Sequence, residues 1–284
     1  MPQSRAKVSA FIITFNEEQK LPECLESVRF CDEIVVVDSN SKDHTVEIAE
    51  RFGARVIIRP WSGYIEQKAF ALAQASHEWV LNIDADERIT PELQRSIEQV
   101  LERDARGAEP ATIAGYEVNR VVYHLGRWWR RGGWYPEWRL RLMRKSKITW
   151  GGLEPHERPI PSGEVRRLDG EMEHLTYDGL AQQFDRIGNL STLAAQQDYA
   201  RGKRTKPISL VLNPFLRFMK FYVVKRGFRE GTAGFIVAVA EAWYTFMKYS
   251  KVWELEFNER RGQSTGAAPT KTSQEKPLRS AQEG

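Results

Sequence analysis

Four short apolar segments in the first 83 residues, each a candidate strand, constrain the fold of this chain more than any other feature. They cover residues 8–13, 33–38, 55–58 and 79–83. Segments with helical periodicity follow them, and the last, over 91–106, carries Leu93, Ile97 and Leu101 at i, i+4 and i+8. Strands that alternate with helices at this spacing predict an α/β fold with a mainly parallel sheet.

Polar residues follow three of the four predicted strands at their carboxyl ends. Residues 14–17 follow the first strand, residues 38–40 the second, and residues 84–86 the fourth. Ligands of open α/β sheets bind beyond the carboxyl ends of the strands. We therefore expect these three stretches to meet in one site.

Asp84 and Asp86 stand at i and i+2, so an extended segment would direct both carboxylates to the same side. Mg²⁺ and Mn²⁺ prefer oxygen ligands, and proteins usually hold them with one or two carboxylates while phosphates and water complete the shell. The pair predicts a divalent metal bound together with a diphosphate. The structural alternative is that the carboxylates stabilise the N-terminus of the helix expected to start at Thr90 and Pro91.

Composition narrows the class of protein. The 284 residues are 41% hydrophobic and 28% charged, which argues against a fibre or general disorder. Cys24 and Cys31 have neither zinc-site spacing nor the density of a disulfide scaffold, so we expect a cytoplasmic protein. We expect no signal peptide, and no apolar run reaches the roughly 18 residues of a spanning helix.

Residues 126–150 interleave aromatic and basic side chains. They hold five of the nine tryptophans, and residues 127–147 carry eight Lys or Arg against one acid, Glu137. Such side chains stack on sugars and bind phosphates, and with the predicted metal site they favour a phosphorylated saccharide or a glycolipid over nucleic acid as the molecule bound or modified here, the acceptor. The expected acceptor contacts are Trp134, Glu137, Trp138 and Arg139. The alternative places Trp128 and Trp129 in the core and the arginines on a solvated rim.

The order of three motifs gives the chain a family resemblance. Thr14-Phe-Asn-Glu17, then Val36-Val-Asp38-Ser-Asn-Ser-Lys-Asp-His-Thr45, then Asn82-Ile-Asp-Ala-Asp-Glu87 resemble the nucleotide-sugar motifs of family 2 glycosyltransferases, in particular lipopolysaccharide-core β-glucosyltransferases. The resemblance implies a GT-A fold and a metal-dependent, inverting transfer. The implied donor is a UDP-sugar, with glucose as the favoured sugar. The implied acceptor is a lipopolysaccharide core or another cell-envelope glycan.

The resemblance also implies roles for residues of the donor site. Asp38 would accept a hydrogen bond from the uracil N3–H. Asp84 would face the ribose and the metal, and Asp86 would be the principal metal ligand. Lys68 would contact the nucleotide or diphosphate, although a solvated helix lysine is an equal alternative. The implied contacts to uracil and ribose are Thr14, Phe15, Asn16 and Glu17.

The general base is expected in the segment from Trp150 to Glu157, which its glycines predict to be a loop. The resemblance places the catalytic pair at His156 and Glu157, with a histidine where the family usually has an acid. We expect Glu157 to be the base; Glu154 and Glu137 are the competitors, and an ion pair with a neighbouring arginine is the structural alternative. The resemblance also puts His174 near the metal or diphosphate.

The C-terminal third is predicted to be helical. We expect a helix over 178–201 and two helices over 207–257, broken near 227–234. The aromatic and basic residues of 207–257 suit a peripheral contact with the inner face of the cytoplasmic membrane. They suit equally well packing against the catalytic domain or a second subunit.

The predicted organisation has four parts. Residues 1–106 form the nucleotide-sugar half of one domain, and 107–177 form its acceptor and catalytic half. Residues 178–257 form the helical region, and 258–284 a disordered tail. Three rival functions stay open: a transferase that delivers sugar to a polyprenyl phosphate, a non-catalytic nucleotide-sugar-binding scaffold, and a nucleotidyltransferase that releases pyrophosphate.

Overall fold

The computed structural model describes residues 5–153 and 156–262, without the side chains of Leu153 and His156. The strands are β1 Val8–Thr14, β2 Glu33–Asp38, β3 Arg55–Ile58, β4 Trp79–Asn82, β5 Glu87–Ile89, β6 Ile113–His124, β7 Arg127–Trp129, β8 Glu137–Arg144, β9 Ile148–Leu153, β10 His156–Pro161 and β11 Glu164–His174. The helices are α1 Leu21–Ser27, α2 Thr45–Arg51, α3 Tyr64–Gln74, α4 Pro91–Ala105, α5 Leu180–Ala200, α6 Ser209–Met219 and α7 Gly231–Arg260.

The chain divides into two compact units. The first holds the residues up to Val121 together with Glu137–Leu175, and the second holds Val122–Pro136 together with the residues from Thr176 onward. The sequence predicts that 107–177 is the acceptor and catalytic half of the same domain as 1–106. In the structure, Val122–Pro136 instead groups with the C-terminal helices. The predicted boundaries at 106 and 177 stay predictions.

The main sheet of the first unit has the strand order β3-β2-β1-β4-β8-β6-β11-β5. Strands β3, β2, β1 and β4 are parallel, as their alternation with helices predicts. β8 then pairs antiparallel with both β4 and β6, and β11 pairs antiparallel with β5. The α/β class is confirmed, with the predicted parallel arrangement in the nucleotide half and antiparallel strands in the remainder.

Both faces of the sheet are covered, which explains why the central strands are apolar throughout. Ala10 and Ile12 of β1 pack into one buried cluster, which also receives Leu93 and Ile97 from α4. Phe11, which points to the opposite face, packs into a second cluster with Ala71 and Leu72 of α3. Each large side chain buried in this way contributes about 1.5–3 kcal/mol.

Helix α4 begins where the sequence predicts. Thr90 is its N-cap, and the Thr90 hydroxyl accepts a hydrogen bond from the Leu93 amide at 3.3 Å, with Pro91 in the first turn. The helix then passes close to β11 at Gly170, which has φ +93°. A Cβ at Gly170 would lie 2.5 Å from the Leu93 nitrogen, so only glycine allows this approach.

Residues 150–153 and 156–157, which the sequence predicts to lie in a loop, belong instead to the paired strands β9 and β10, here called the hairpin. β9 and β10 pair antiparallel, with Glu157 opposite Gly152, and they form a two-stranded sheet of their own. A Cβ at Gly151 would lie 2.6 Å from the Ile160 side chain. Gly151 therefore provides room for a cross-strand neighbour, and reading it as a loop signal was wrong.

The second unit is mainly helical, as predicted. The expected helix over 178–201 is α5, and the two helices expected over 207–257 are α6 and α7, separated by a π turn at Lys220–Val224 and a 3₁₀ turn at Gly227–Glu230. Residues 258–260 continue α7; the rest of the predicted tail from 263 onward lies outside the described residues. Within residues 5–153 and 156–262, no helix combines the length and apolar character needed to cross a membrane.

Candidate functional site

The loops after β1 and β2 meet at Asp38, as predicted from the strand order. β1 and β2 are parallel, with Thr14 in register with Asp38. The Thr14 hydroxyl donates to Oδ2 of Asp38 at 2.9 Å, and the Ser41 amide donates to Oδ1 at 2.8 Å. The Ser41 hydroxyl also donates to Oδ2, at 2.5 Å. Both oxygens of Asp38 therefore already accept a hydrogen bond from Thr14 or Ser41. A ligand N–H that donates to Asp38 would share one of these oxygens.

Asn16 and Glu17 tie the same two loops together. The Asn16 amide donates to the Ser41 hydroxyl, and Oδ1 of Asn16 accepts from the Lys42 amide, each at 2.8 Å. The Glu17 amide donates to the Thr45 hydroxyl, also at 2.8 Å. Asn16 adopts φ +53°, a left-handed conformation that asparagine tolerates better than most residues. Phe15 is half-buried in the same turn. The structure thus brings all four residues of 14–17 to the edge beside Asp38.

Asp84 follows β4 and lies between two cations. Its Oδ1 is 3.0 Å from Nζ of Lys68, and its Oδ2 is 2.9 Å from a guanidinium nitrogen of Arg141. Burial alone would raise the pKa of Asp84, but Lys68 and Arg141 hold it well below its usual range. Asp84 is therefore ionised at neutral pH, and each of its oxygens already has a cationic partner.

Asp86 has a different environment. Oδ2 of Asp86 lies 3.4 Å from Nε2 of His174, and its side chain keeps 24% exposure. β11 carries His174 to this place, because its last residues pair with β5 and put His174 opposite Glu87. Burial acts to raise the pKa of Asp86, but the attraction and hydrogen bond of His174 lower it below its usual value. The predicted neighbours Asp86 and His174 are thus in contact.

The residues present fit a divalent ion bound with a diphosphate better than a closed protein site. Among the described residues, no three His, Cys, Asp or Glu side chains form a metal-binding cluster. Mg²⁺ and Mn²⁺ sites of the diphosphate type need only one or two carboxylates from the protein. Asp86, with His174 beside it, meets this requirement, whereas the Asp84 oxygens already face Lys68 and Arg141.

Three residues of the site were missed by sequence reasoning: Glu87, Arg120 and Arg141. Oε1 of Glu87, whose side chain is fully buried, lies 2.5 Å from Arg141 and 3.1 Å from Arg120. Arg141 also donates to Oδ1 of Asn82 at 2.6 Å. A charged network therefore runs beneath Asp84, and every charge in it has a partner of opposite sign, as burial requires.

The same network reaches the predicted acceptor residues. Arg120 lies 2.8 Å from Oε1 of Glu137, and Arg139 lies 2.5 Å from the same oxygen. Burial acts to raise the pKa of Glu137, but Arg120 and Arg139 lower it, so Glu137 is an ion-pair partner. The ring of Trp138 lies beneath the guanidinium of Arg167, 4.3 Å from its centre.

Trp134 belongs to the second unit. Its indole N–H donates to Oε1 of Glu241 at 2.9 Å, and its ring lies 5.3 Å from that of Trp129. Trp129 is fully buried, in agreement with the core alternative for this residue. Trp128, also in β7, is half-buried and lies 5.0 Å from the Tyr123 ring.

Glu157 stands on β10 and points to Lys68. Its Oε1 lies 3.2 Å from Nζ of Lys68, and its side chain is 12% exposed. Lys68 itself is 7% exposed and lies 5.5 Å from the centre of the Trp150 ring, so it is a buried residue of the site and not the solvated helix lysine. The ion pair of Glu157 is with Lys68, where the sequence had suggested an arginine. The His156 side chain and Glu154 lie outside the described residues.

Comparison with known proteins decides the family. Residues 9–160 match the model of glycosyl transferase family 2. The chain belongs to glycosyl transferase family 2. This glycosyltransferase is 34% identical over 254 residues to the lipopolysaccharide core biosynthesis glycosyltransferase LpsC of Rhizobium meliloti, covering 87% of this chain and 92% of the relative. It is also 30% identical to an uncharacterised glycosyltransferase of Rickettsia typhi, with 89% of each chain covered.

Among solved structures, the glycosyltransferase is similar to residues 1–349 of TarS from S. aureus in complex with UDP-GlcNAc. The sequence identity is 17%, the TM-score is 0.43, and the match covers 91% of this chain and 93% of TarS.

Proposed function

We propose that this glycosyltransferase moves a sugar, with glucose as the expected one, from a UDP-sugar to a hydroxyl of a lipopolysaccharide core or another cell-envelope glycan. The similarity to the lipopolysaccharide core biosynthesis glycosyltransferase LpsC of Rhizobium meliloti supports the acceptor class. One observation carries the proposal: Lys68 contacts both Asp84 at the donor edge and Glu157 on the hairpin. The ammonium group of Lys68 therefore lies beside two carboxylates: Asp84, which we place at the donor, and Glu157, which we propose as the base.

The donor nucleotide would bind at the edge formed by residues 14–17 and Asp38. Asp38 has oxygens fixed by Thr14 and Ser41, so it offers an ordered acceptor to a uracil N–H. Mg²⁺ or Mn²⁺, held by Asp86 with Asp84 and His174 nearby, would neutralise charge on the departing diphosphate when bound. Lys68, which is cationic and buried, would contribute to the same neutralisation.

Glu157 would act as general base. Its carboxylate would take the proton of the acceptor hydroxyl while the acceptor oxygen forms a bond to the anomeric carbon and the bond to UDP breaks. The attack comes from the face opposite UDP, so the product has inverted configuration. For Glu157 to accept this proton, Lys68 must give up part of its contact, and the diphosphate offers Lys68 a stronger anion. His156 would assist as neighbour of the base.

The remaining roles in the proposal concern the acceptor and the membrane. Glu137, Trp138 and Arg139 would contact the acceptor sugar, since they lie at the exposed end of the charged network. Trp134 keeps the same proposed role within the second unit. A peripheral membrane contact through residues 207–257 would bring the enzyme to a lipid-borne acceptor.

Calorimetric titration of UDP and UDP-glucose tests the donor site. In the presence of Mn²⁺ the wild-type protein should bind both ligands, and EDTA or Asp86→Ala should weaken binding at least about tenfold, because one carboxylate supplies much of the metal affinity. Glu50→Ala, at an exposed position of α2, is the matched control and should bind like the wild type. Binding that ignores both EDTA and Asp86→Ala would remove the metal from the proposal.

Product analysis separates the rival functions. A glycosyltransferase of the proposed type releases UDP, whereas a nucleotidyltransferase releases pyrophosphate. Donor binding without turnover on any acceptor would favour a non-catalytic scaffold. Transfer to a polyprenyl phosphate that survives in Glu157→Gln would favour the polyprenyl-phosphate enzyme, since an acceptor that is already an anion needs no base.

A further inference from the structure

The apolar face of α6 points to solvent. Ile208, Val211, Leu212, Phe215 and Leu216 recur at i, i+3, i+4, i+7 and i+8, the spacing of a single helix face. Their exposed fractions lie between 45% and 70%. In a helix at the surface of a globular domain, a face with this pattern ordinarily packs into the core.

The exposed apolar surface continues beyond α6. Val223 and Val224, in the π turn, are 45% and 72% exposed, and Phe228, in the following 3₁₀ turn, is 48% exposed. We refer to the apolar residues of 208–216 together with Val223, Val224 and Phe228 as the outer face. Scattered exposed apolar residues are ordinary, but exposed apolar residues gathered on one helix face and in the turns that follow it indicate an interaction site.

Contacts from the C-terminal end of α6 fix its orientation against α7. Arg217 lies 2.6 Å from Oε2 of Glu241 in α7. The Phe218 ring packs 5.8 Å from the Phe235 ring, also in α7. Helix α6 is thus anchored to α7 while its most apolar residues remain uncovered.

The charged residues of the segment that carries the outer face have one sign. Residues 201–229 contain nine Lys or Arg and no Asp or Glu. Lys206, Lys220, Lys225, Arg226 and Arg229 are all exposed. Apolar side chains bordered by cations are complementary to an anionic bilayer, in which acyl chains lie below a layer of phosphates.

The same charge pattern argues against a second copy of the chain as the partner that covers the outer face. A two-fold interface brings the same patch of both copies together, so it would bring two sets of cations into proximity without acids to balance them. The C-terminal segment of the chain is also poorly suited to cover the outer face, because it has few apolar side chains. Residues 263–284 contain Leu278 as their single large apolar residue.

We propose that the outer face is a docking surface for an anionic lipid bilayer. The apolar side chains of 208–216 enter the boundary between headgroups and acyl chains, and Lys206, Lys220 and Lys225 pair with lipid phosphates. The surface anchors the protein in the plane of the membrane and involves no spanning helix. This inference deepens the membrane contact of residues 207–257 in the proposed function and rests on it, whereas no residue of the donor site takes part.

Vesicle sedimentation tests the proposal. The full chain should sediment with vesicles of phosphatidylcholine containing about one third phosphatidylglycerol at low salt, and high salt should release it. Val211→Ser/Phe215→Ser should bind at least about tenfold more weakly, because it removes inserted apolar area. Lys220→Glu/Lys225→Glu should lose about fivefold or more per lysine. Phe184→Ser, at a 40% exposed site on α5, is the matched control and should bind like the wild type.

Three results would overturn the proposal: no sedimentation with anionic vesicles, equal binding to pure phosphatidylcholine at all salt concentrations, or unchanged binding of Val211→Ser/Phe215→Ser. A vesicle-free dimer that Val211→Ser/Phe215→Ser abolishes in analytical ultracentrifugation would assign the surface to a second copy instead. The substituted residues are exposed, so the variants should keep the wild-type melting temperature. UDP titration of the same variants reports on the donor site separately.

Discussion

The ammonium nitrogen of Lys68 lies 3.2 Å from Oε1 of Glu157. Lys68 belongs to α3, at the nucleotide side of the sheet, whereas Glu157 belongs to the separate hairpin. Because Lys68 also contacts Asp84 at 3.0 Å, the two carboxylates with proposed roles in donor binding and base catalysis share one cation. An anion that binds at the donor edge therefore acts directly on the partner of the proposed base.

Replacing Lys68 by methionine should impair both halves of the site. Asp84 and Glu157 would lose their common cation, so we expect UDP-glucose to bind about tenfold more weakly and the free energy of unfolding to fall by about 1–3 kcal/mol. Calorimetry and urea denaturation measure the two effects. Lys7→Met, at an exposed lysine, is the control. Unchanged donor affinity in Lys68→Met would show that Lys68 has no part in donor binding.

Glu157→Gln should separate catalysis from binding. Glutamine keeps the shape of the side chain but cannot take the proton of the acceptor, so we expect kcat to fall by about 10²–10⁴. The dissociation constant of the UDP-sugar should stay within about threefold of the wild-type value. Glu164→Gln, on β11 and exposed, should keep full activity. If Glu157→Gln keeps its kcat, the base is another residue.

Arg141→Lys tests the buried network beneath Asp84. Lysine cannot reproduce the fork that reaches Asn82, Asp84 and Glu87, so Glu87 would be left with a weaker set of partners. We expect the free energy of unfolding to fall by about 2–4 kcal/mol in urea denaturation. The control Arg29→Lys, at an exposed ion pair, should change it by less than about 0.5 kcal/mol. Equal effects of the two substitutions would contradict the network.

Glu33 should make stability depend on pH in the acid range. Burial acts to raise the pKa of Glu33, but hydrogen bonds from Ser9, Ser76 and Arg55 together lower it to about 2. Since the folded pKa lies below the unfolded value of about 4.3, the stabilisation is complete above that pH and is lost as the pH falls towards 2.

Urea denaturation of Glu33→Gln between pH 3 and 8 measures this contribution. The difference from the wild type should be constant at about 1–2 kcal/mol above pH 5, a figure reduced for solvent screening, and should shrink below pH 4. Glu50→Gln should show no such trend. A constant difference at all pH values would mean that the Glu33 carboxylate is not selectively stabilised in the folded state.

The fold of residues 1–106 could be predicted because the sequence patterns that indicate its strands and loops are local. Apolar strands that run into polar loops, together with the rule that ligands gather beyond the strand ends, predicted that residues 14–17 would meet residues 38–40. The hydrogen bond between Thr14 and Asp38 confirms this contact. The roles of the individual residues stay predictions.

The missed residues depend on pairings between distant parts of the chain. Arg141 stands in a segment whose alternation predicts a strand, but its burial follows from the pairing of β8 with β4, which lies about 60 residues earlier. Periodicity does not reveal that pairing. The one available signal was a basic residue between Leu140 and Leu142 in a chain that also offers Glu87 next to the paired aspartates.

The hairpin of β9 and β10 has a hydrogen-bond ladder of its own, apart from the main sheet. A ribbon with its own ladder can exchange its outward side chains without shifting the register of the strands that carry Thr14, Asp38 and Asn82. Substitutions in this ribbon would therefore change the surroundings of Glu157 and leave the edge at Asp38 as it is, provided that the contact between Glu157 and Lys68 is retained.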